Sequence, residues 1–204
     1  MKILSIMSIA GSCLLFAACN NDSKTSTSEQ SSTDSATGVS ATTSNNMPDT
    51  ATTTTTVPTE TADAGSADFL MKAADGGMAE VAAGQVAQGK AVNESVKMFA
   101  GMMVNDHTGA NQQVKDLSSK LQVTLPAEPS EEHKKAIAET GKKEGKAFDK
   151  AYMTMMVADH KKTIALFKDG ASKAGNAQVK DFITATLPKL QVHLDSAQAI
   201  QKRL

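Results

Sequence analysis

The chain has 204 residues, with six Phe, one Tyr, no Trp and 11 Met. So few aromatic residues argue against a sheet, whose strands favour aromatic and β-branched side chains, and suit closely packed helices instead. The net charge of −1 hides an asymmetry: residues 67–204 carry 19 Lys+Arg against 16 Asp+Glu, whereas residues 20–66 carry one Lys against six acids. Neither part has a basic stripe or the aromatics needed to stack bases, which excludes nucleic acid as the expected partner.

Both cysteines, Cys13 and Cys19, lie near the N-terminus, so no disulfide framework is expected in the folded part. Met1-Lys2 precedes an apolar run from Ile3 to Ala18 that is shorter than the ~20 residues of a spanning helix. It closes in Leu15-Phe16-Ala17-Ala18-Cys19, which resembles the lipobox of bacterial lipoproteins, with Phe16 where Leu is usual. The resemblance implies cleavage after residue 18 and lipidation of Cys19, whereas the run before Cys13 is too short. An uncleaved anchor and an ordinary signal peptide cut near Ala18 are the alternatives. Residues 1–18 are thus expected as a signal peptide, and residues 19–66 as a lipidated Cys and a disordered tether. Nearly half of this tether is Ser or Thr, so it buries too little apolar surface to offset its chain entropy. The expected location is the bacterial envelope, with the membrane as partner through the lipid and any protein partner unknown. Asn20 gives no clear inner-membrane retention signal, which favours the outer membrane, facing the periplasm or the cell surface.

Residues 67–204 read as helices. The first is expected from about Asp68 to Gln88, with an inward stripe of Phe69, Ala73, Gly76, Glu80, Ala83 and Ala87. Gly76, Gly77 and Gly84 each cost ~1 kcal/mol relative to Ala, so packing must justify them. Asn93 caps a second helix running to about Leu121, whose stripe of Val96, Phe99, Met103, His107, Ala110, Val114, Leu117 and Leu121 centres on His107. After Pro126 and Pro129, Ser130 caps a short connecting helix over Glu131–Thr140, in which His133 is read as exposed. Lys146–Ala171 forms the third long helix, with Phe148, Tyr152, Met156, His160, Thr163 and Phe167 inward. Asn176 caps the fourth, carrying Val179, Phe182, Thr186, Leu190, His193, Ala197, Ile200 and Leu204, with Pro188 expected to kink it. Four such helices with short turns predict an all-α, antiparallel four-helix bundle with a connecting helix between the second and third.

The phrase Met-Met-Val-x-Asp-His occurs twice, at Met102–His107 and at Met155–His160. Each long helix therefore carries one polar residue near the middle of its buried face: Glu80, His107, His160 and His193. Their distances from the connecting turns allow all four to share a layer.

The combination of Glu80, Met102–His107, Phe148-Asp149-Lys150-Ala151-Tyr152, Asp159-His160 and Leu187-Pro188-Lys189-Leu190-Gln191-Val192-His193-Leu194 resembles the family called domain of unknown function 4142. The resemblance covers nearly all of residues 68–204. It implies a ferritin-like bundle in an envelope protein and brings no established activity. Ferritin-like di-iron sites use Glu from two helices and Glu-x-x-His from the other two. Here Val104 and Leu190 stand three residues before His107 and His193, so the residues argue against di-iron.

The Met-x-x-x-His spacing of Met103–His107 and Met156–His160 is similar to a second family of small periplasmic helical proteins, some of which bind copper. Imidazole with thioether suits copper, and three His with a carboxylate or water suit zinc or another divalent ion. Glu80, His107, His160 and His193 are thus the candidate metal ligands, with Met103 and Met156 beside them. Asp106 and Asp159, about 100° round the helix from their histidines, are candidate outer partners that orient the imidazoles. The competing reading is a purely structural polar layer in a non-catalytic interaction or stress-protective module. No Ser or Cys nucleophile pairs with a His, and no phosphate-binding loop is present, so the residues do not support a catalytic role.

Overall fold

A computed structural model describes residues 61–204; Cys13, Cys19 and the expected signal peptide lie outside the described residues, as does the tether up to residue 60. The described part is all helical, with α1 over Ala64–Lys90, α2 over Glu94–Lys120, α3 over Glu131–Gly141, α4 over Gly145–Lys173 and α5 over Ala177–Gln201. No strand occurs among the described residues, and none of their helices is long and apolar enough to cross a membrane.

The three-residue links Ala91–Asn93 and Ala174–Asn176 fold α1 with α2 and α4 with α5 as helical hairpins. The hairpins meet through α1 on α4 and α2 on α5, and α3 lies across α1 and α4. One apolar core runs between the four long helices, with Phe69, Phe99, Met103, Phe148, Tyr152, Met156 and Leu190 almost fully buried.

The first helix begins earlier than its periodicity places it. Asp63 caps it, accepting from Ser66 N at 3.0 Å and from Ser66 Oγ. Asp63 also accepts from Asn176 N at 3.0 Å, tying the start of α1 to the α4–α5 link. These bonds, those from Ser66 first, hold its carboxyl well below the usual carboxylate range. Residues assigned to the end of the tether thus belong to the fold.

The glycines of α1 divide. A Cβ on Gly84 would meet Val104 Cγ2 at 2.8 Å and the Ala100 carbonyl oxygen at 3.1 Å, so this glycine sets the close approach of α1 and α2. Gly77 is buried, but a Cβ there would meet only the end of the flexible Asn111 side chain, whereas Gly76 is only half-buried and has open space around it. The inward residue of that turn is therefore Gly77, not Gly76. Ala110, Thr163, Thr186 and Leu204 likewise sit at the edge of the core rather than inside it. α5 runs unbroken through Pro188.

Candidate metal centre

Each long helix sends one polar side chain to the centre of the core. Glu80 of α1, His107 of α2, His160 of α4 and His193 of α5 are all at most 5% exposed. The ring centroids lie 5.6 Å apart for His107 and His160, and 5.4 Å apart for each of the other two pairs. One ring nitrogen from each histidine falls within 4.8 Å of the other two. Zinc–nitrogen bonds of about 2.0–2.1 Å set neighbouring ligand atoms about 3.4 Å apart in a tetrahedron. Shifts of about an ångström in the rings would close the three nitrogens on one ion.

The other side of each ring faces a protein oxygen. His160 Nδ1 is 2.9 Å from the Met156 carbonyl oxygen, one turn back on α4. His193 Nε2 is 2.9 Å from Asp106 Oδ2, and Lys189 Nζ donates to the same carboxylate at 3.3 Å. His107 Nδ1 stands 3.1 Å from Glu80 Oε2, and His160 Nδ1 lies 3.4 Å from Glu80 Oε1. The opposite nitrogens, His107 Nε2, His160 Nε2 and His193 Nδ1, are buried with no hydrogen-bond partner among the described residues. His160 and His193 have the form of metal-ligating histidines, with one nitrogen fixed by a carbonyl or carboxylate and the other left for an ion, and His107 faces Glu80 without a hydrogen bond of good geometry.

Burial sets the charge state of the cluster. It pushes His107 down to about 3, helped by the neighbouring imidazoles of His160 and His193. It pushes His160 down to about 4, against the bond to the Met156 carbonyl, and lowers His193 against the bond to Asp106. All three rings are therefore neutral at pH 7, each with a lone pair available. Burial, and next the charge of Asp159, pushes Glu80 up to about 8. Neither Glu80 oxygen has a hydrogen bond of good geometry, so nothing offsets that desolvation.

The sequence candidates separate accordingly. Glu80 lies on the Nδ1 side of His107 and His160 and is not among the residues whose ligand atoms gather within 4.8 Å. Met103 and Met156 are enclosed in the core one turn before their histidines, and Met156 reaches His160 through its backbone carbonyl. Asp106 holds a histidine, but the one on α5 rather than its neighbour His107. Asp159 makes no hydrogen bond or ion pair among the described residues and lines a cavity of about 440 Å³. Glu80 and His107 form the floor of this cavity, and α3 flanks its mouth with Glu132 and His133.

His133 departs from the exposed reading. It is about three-quarters buried, with Nδ1 3.2 Å from Asp75 Oδ2, and Ser130 N also donates to Asp75. This contact joins α3 to α1 across 55 or more residues, and no local pattern signals it. Asp149, fully buried, is a second residue the helical stripe omits; it accepts from Val92 N and Asn93 N at 3.1 and 2.9 Å. Its only signal is its place beside Phe148 in the Phe-Asp-x-Ala-Tyr phrase.

Fold and site together define an all-helical bundle with a buried cluster of three neutral histidines, two of them held from outside by a protein oxygen. The chain belongs to the family described as Domain of unknown function (DUF4142), whose model matches residues 50–200. Among solved structures, the chain is similar to one titled "Crystal structure of DUF305 fragment from Deinococcus radiodurans". The TM-score is 0.64 at 10% identity, covering 71% of this chain and 99% of that one, a likeness of fold alone. No curated protein matches the chain.

Proposed function

We propose that the domain binds one transition-metal ion through His107, His160 and His193, with Glu80 and Asp106 orienting the imidazoles. The observation that carries this reading is the set of three buried, unpartnered ring nitrogens, one per histidine. A purely structural polar layer would have both sides of each ring satisfied, because an unmet buried polar atom costs ~1–3 kcal/mol. Three imidazoles with an open fourth position suit zinc or copper. Glu80 as the single central carboxylate gives no support to a di-iron pair. Four long helices around one core support a ferritin-like arrangement. The Leu15–Cys19 sequence supports a lipid anchor at Cys19, holding the domain at the bacterial envelope, on the outer membrane by preference.

The test is equilibrium dialysis of the purified protein against zinc and copper, followed by metal analysis. About one equivalent is expected, and His107→Ala, His160→Ala and His193→Ala should each lose most of it. Less than about a tenth of an equivalent for both metals, or unchanged stoichiometry in all three variants, rules the site out.

A further inference from the structure

The cavity over Glu80 is lined by four carboxylates, Asp75, Glu80, Glu132 and Asp159, and by two lysines, Lys72 and Lys162. Lys72 pairs outside the cavity with Asp68 at 2.8 Å, and Lys162 pairs with Glu132 of the same cavity at 3.9 Å. Asp75 is held by Ser130 N and His133. That leaves Asp159, half-buried on the wall with no hydrogen bond or ion pair among the described residues and the more distant charge of Lys162 acting on it, and Glu80, 3% exposed on the floor. Both Glu80 oxygens are buried and unpartnered. The Asp159 carboxylate in this partly desolvated cleft focuses a negative potential along it, toward Glu80 and His107. The cleft ends at His107, one of the three clustered histidines.

We propose that this cavity is the entry route for the metal, and that Asp159, inside the mouth, receives the cation before it passes Glu80 to the histidines. The inference rests on the metal-binding reading and adds how the ion reaches a buried site. A residue of the route, unlike a ligand of the bound ion, speeds passage in both directions. Its loss slows uptake and release by a common factor and leaves the affinity nearly unchanged.

The experiment uses the full-length, metal-free protein, zinc alone as the probe, and a chromophoric chelator to follow uptake and release. Asp159→Asn should slow both by roughly tenfold or more, with affinity changed less than about threefold. Asp159→Glu should regain most of the rate, and Asp195→Asn, on an exposed face of α5, should match the wild type. Glu132→Gln at the exposed mouth, which leaves the interior intact, should slow uptake severalfold whether or not Asp159→Asn folds. Wild-type uptake in both Asp159→Asn and Glu132→Gln overturns the route while leaving the histidine site standing. Weaker affinity in Asp159→Asn, carried wholly by faster release, also overturns it, because that behaviour marks a ligand. No zinc uptake by the wild type overturns the route, and overturns the site as well when copper dialysis also gives no bound metal.

Discussion

His193 Nε2 meets Asp106 Oδ2 at 2.9 Å, from α5 to α2, while His193 Nδ1 is buried without a partner. Asp106 precedes His107 in the chain, so one Asp-His pair supplies one clustered imidazole and orients another. The carboxylate fixes which nitrogen of His193 is free, and therefore where its lone pair points. Asp106→Ala should keep one metal equivalent but weaken affinity by roughly 10–100-fold, measured by chelator competition. Unchanged affinity would show that the core alone orients His193.

The shifts at the cluster predict an unusual stability profile for the metal-free protein. His107 and His160 have folded values of about 3 and 4, and His193 is also lowered. Below pH 6.5 the unfolded chain therefore binds protons that the fold refuses, and stability falls as pH falls. Glu80 has the opposite sign: with a folded value of about 8, it holds a proton that the unfolded chain releases above about 4.5. Its contribution is full below pH 4.5 and is lost as pH rises through 8. Between 4.5 and 6.5 three histidines outweigh one glutamate, and above 6.5 only the glutamate acts. Urea midpoints in chelator-treated protein should therefore peak near pH 6.5. In Glu80→Gln the decline from 6.5 to 8 should flatten. A wild-type optimum above pH 8 would contradict the buried, protonated Glu80.

Most of this arrangement is written at helical spacing. Val96, Phe99, Met103, His107, Val114 and Leu117 all proved buried on one face of α2, because a 3.6-residue period maps directly onto burial. The same period, counted from the turns, brought three histidines and Glu80 to one level. It could not tell ligand from orienting group, since that depends on which ring nitrogen faces which neighbour. Asp106 and Asp159 occupy equivalent places in the repeated phrase, yet only Asp106 meets a histidine. The difference lies in the helix each one faces, which is a property of the packing and not of the phrase. Asp63, Asp75 and Asp149 lie outside the helical stripes, because each bonds to backbone far away in sequence, where no periodicity reaches.

The glycines of α1 give a paired test of that packing. Gly84→Ala forces a methyl against the Ala100 carbonyl and Val104, and should destabilise by about 1–3 kcal/mol as an overpacked contact. Gly76→Ala meets nothing within 4 Å and should stabilise by up to about 1 kcal/mol through helix propensity. Denaturant melts of the two variants should move in opposite directions. A shared direction would mean that α1 and α2 are not packed through Gly84.

Asp149 separates the frame of the bundle from its central chemistry. Its side chain is fully buried beneath the α1–α2 link and accepts from two successive backbone amides, Val92 and Asn93. Asn93 in turn caps α2 by accepting from Ser95 N at 2.9 Å. Removing the carboxylate leaves both amides without their acceptor, at ~1–3 kcal/mol each, and loosens the cap. Asp149→Ala should therefore cost about 3–5 kcal/mol in urea unfolding, and Asp149→Asn, which keeps one acceptor oxygen, about half as much. Asp149 lies three turns before His160 on α4, about 16 Å along the helix axis. The Asn variant, while folded, should therefore bind metal with the stoichiometry and affinity of the wild type. If its stability were unchanged instead, the link between α1 and α2 would be held by helix packing alone. A loss of metal at full stability would place Asp149 in the site, against its position beneath the link.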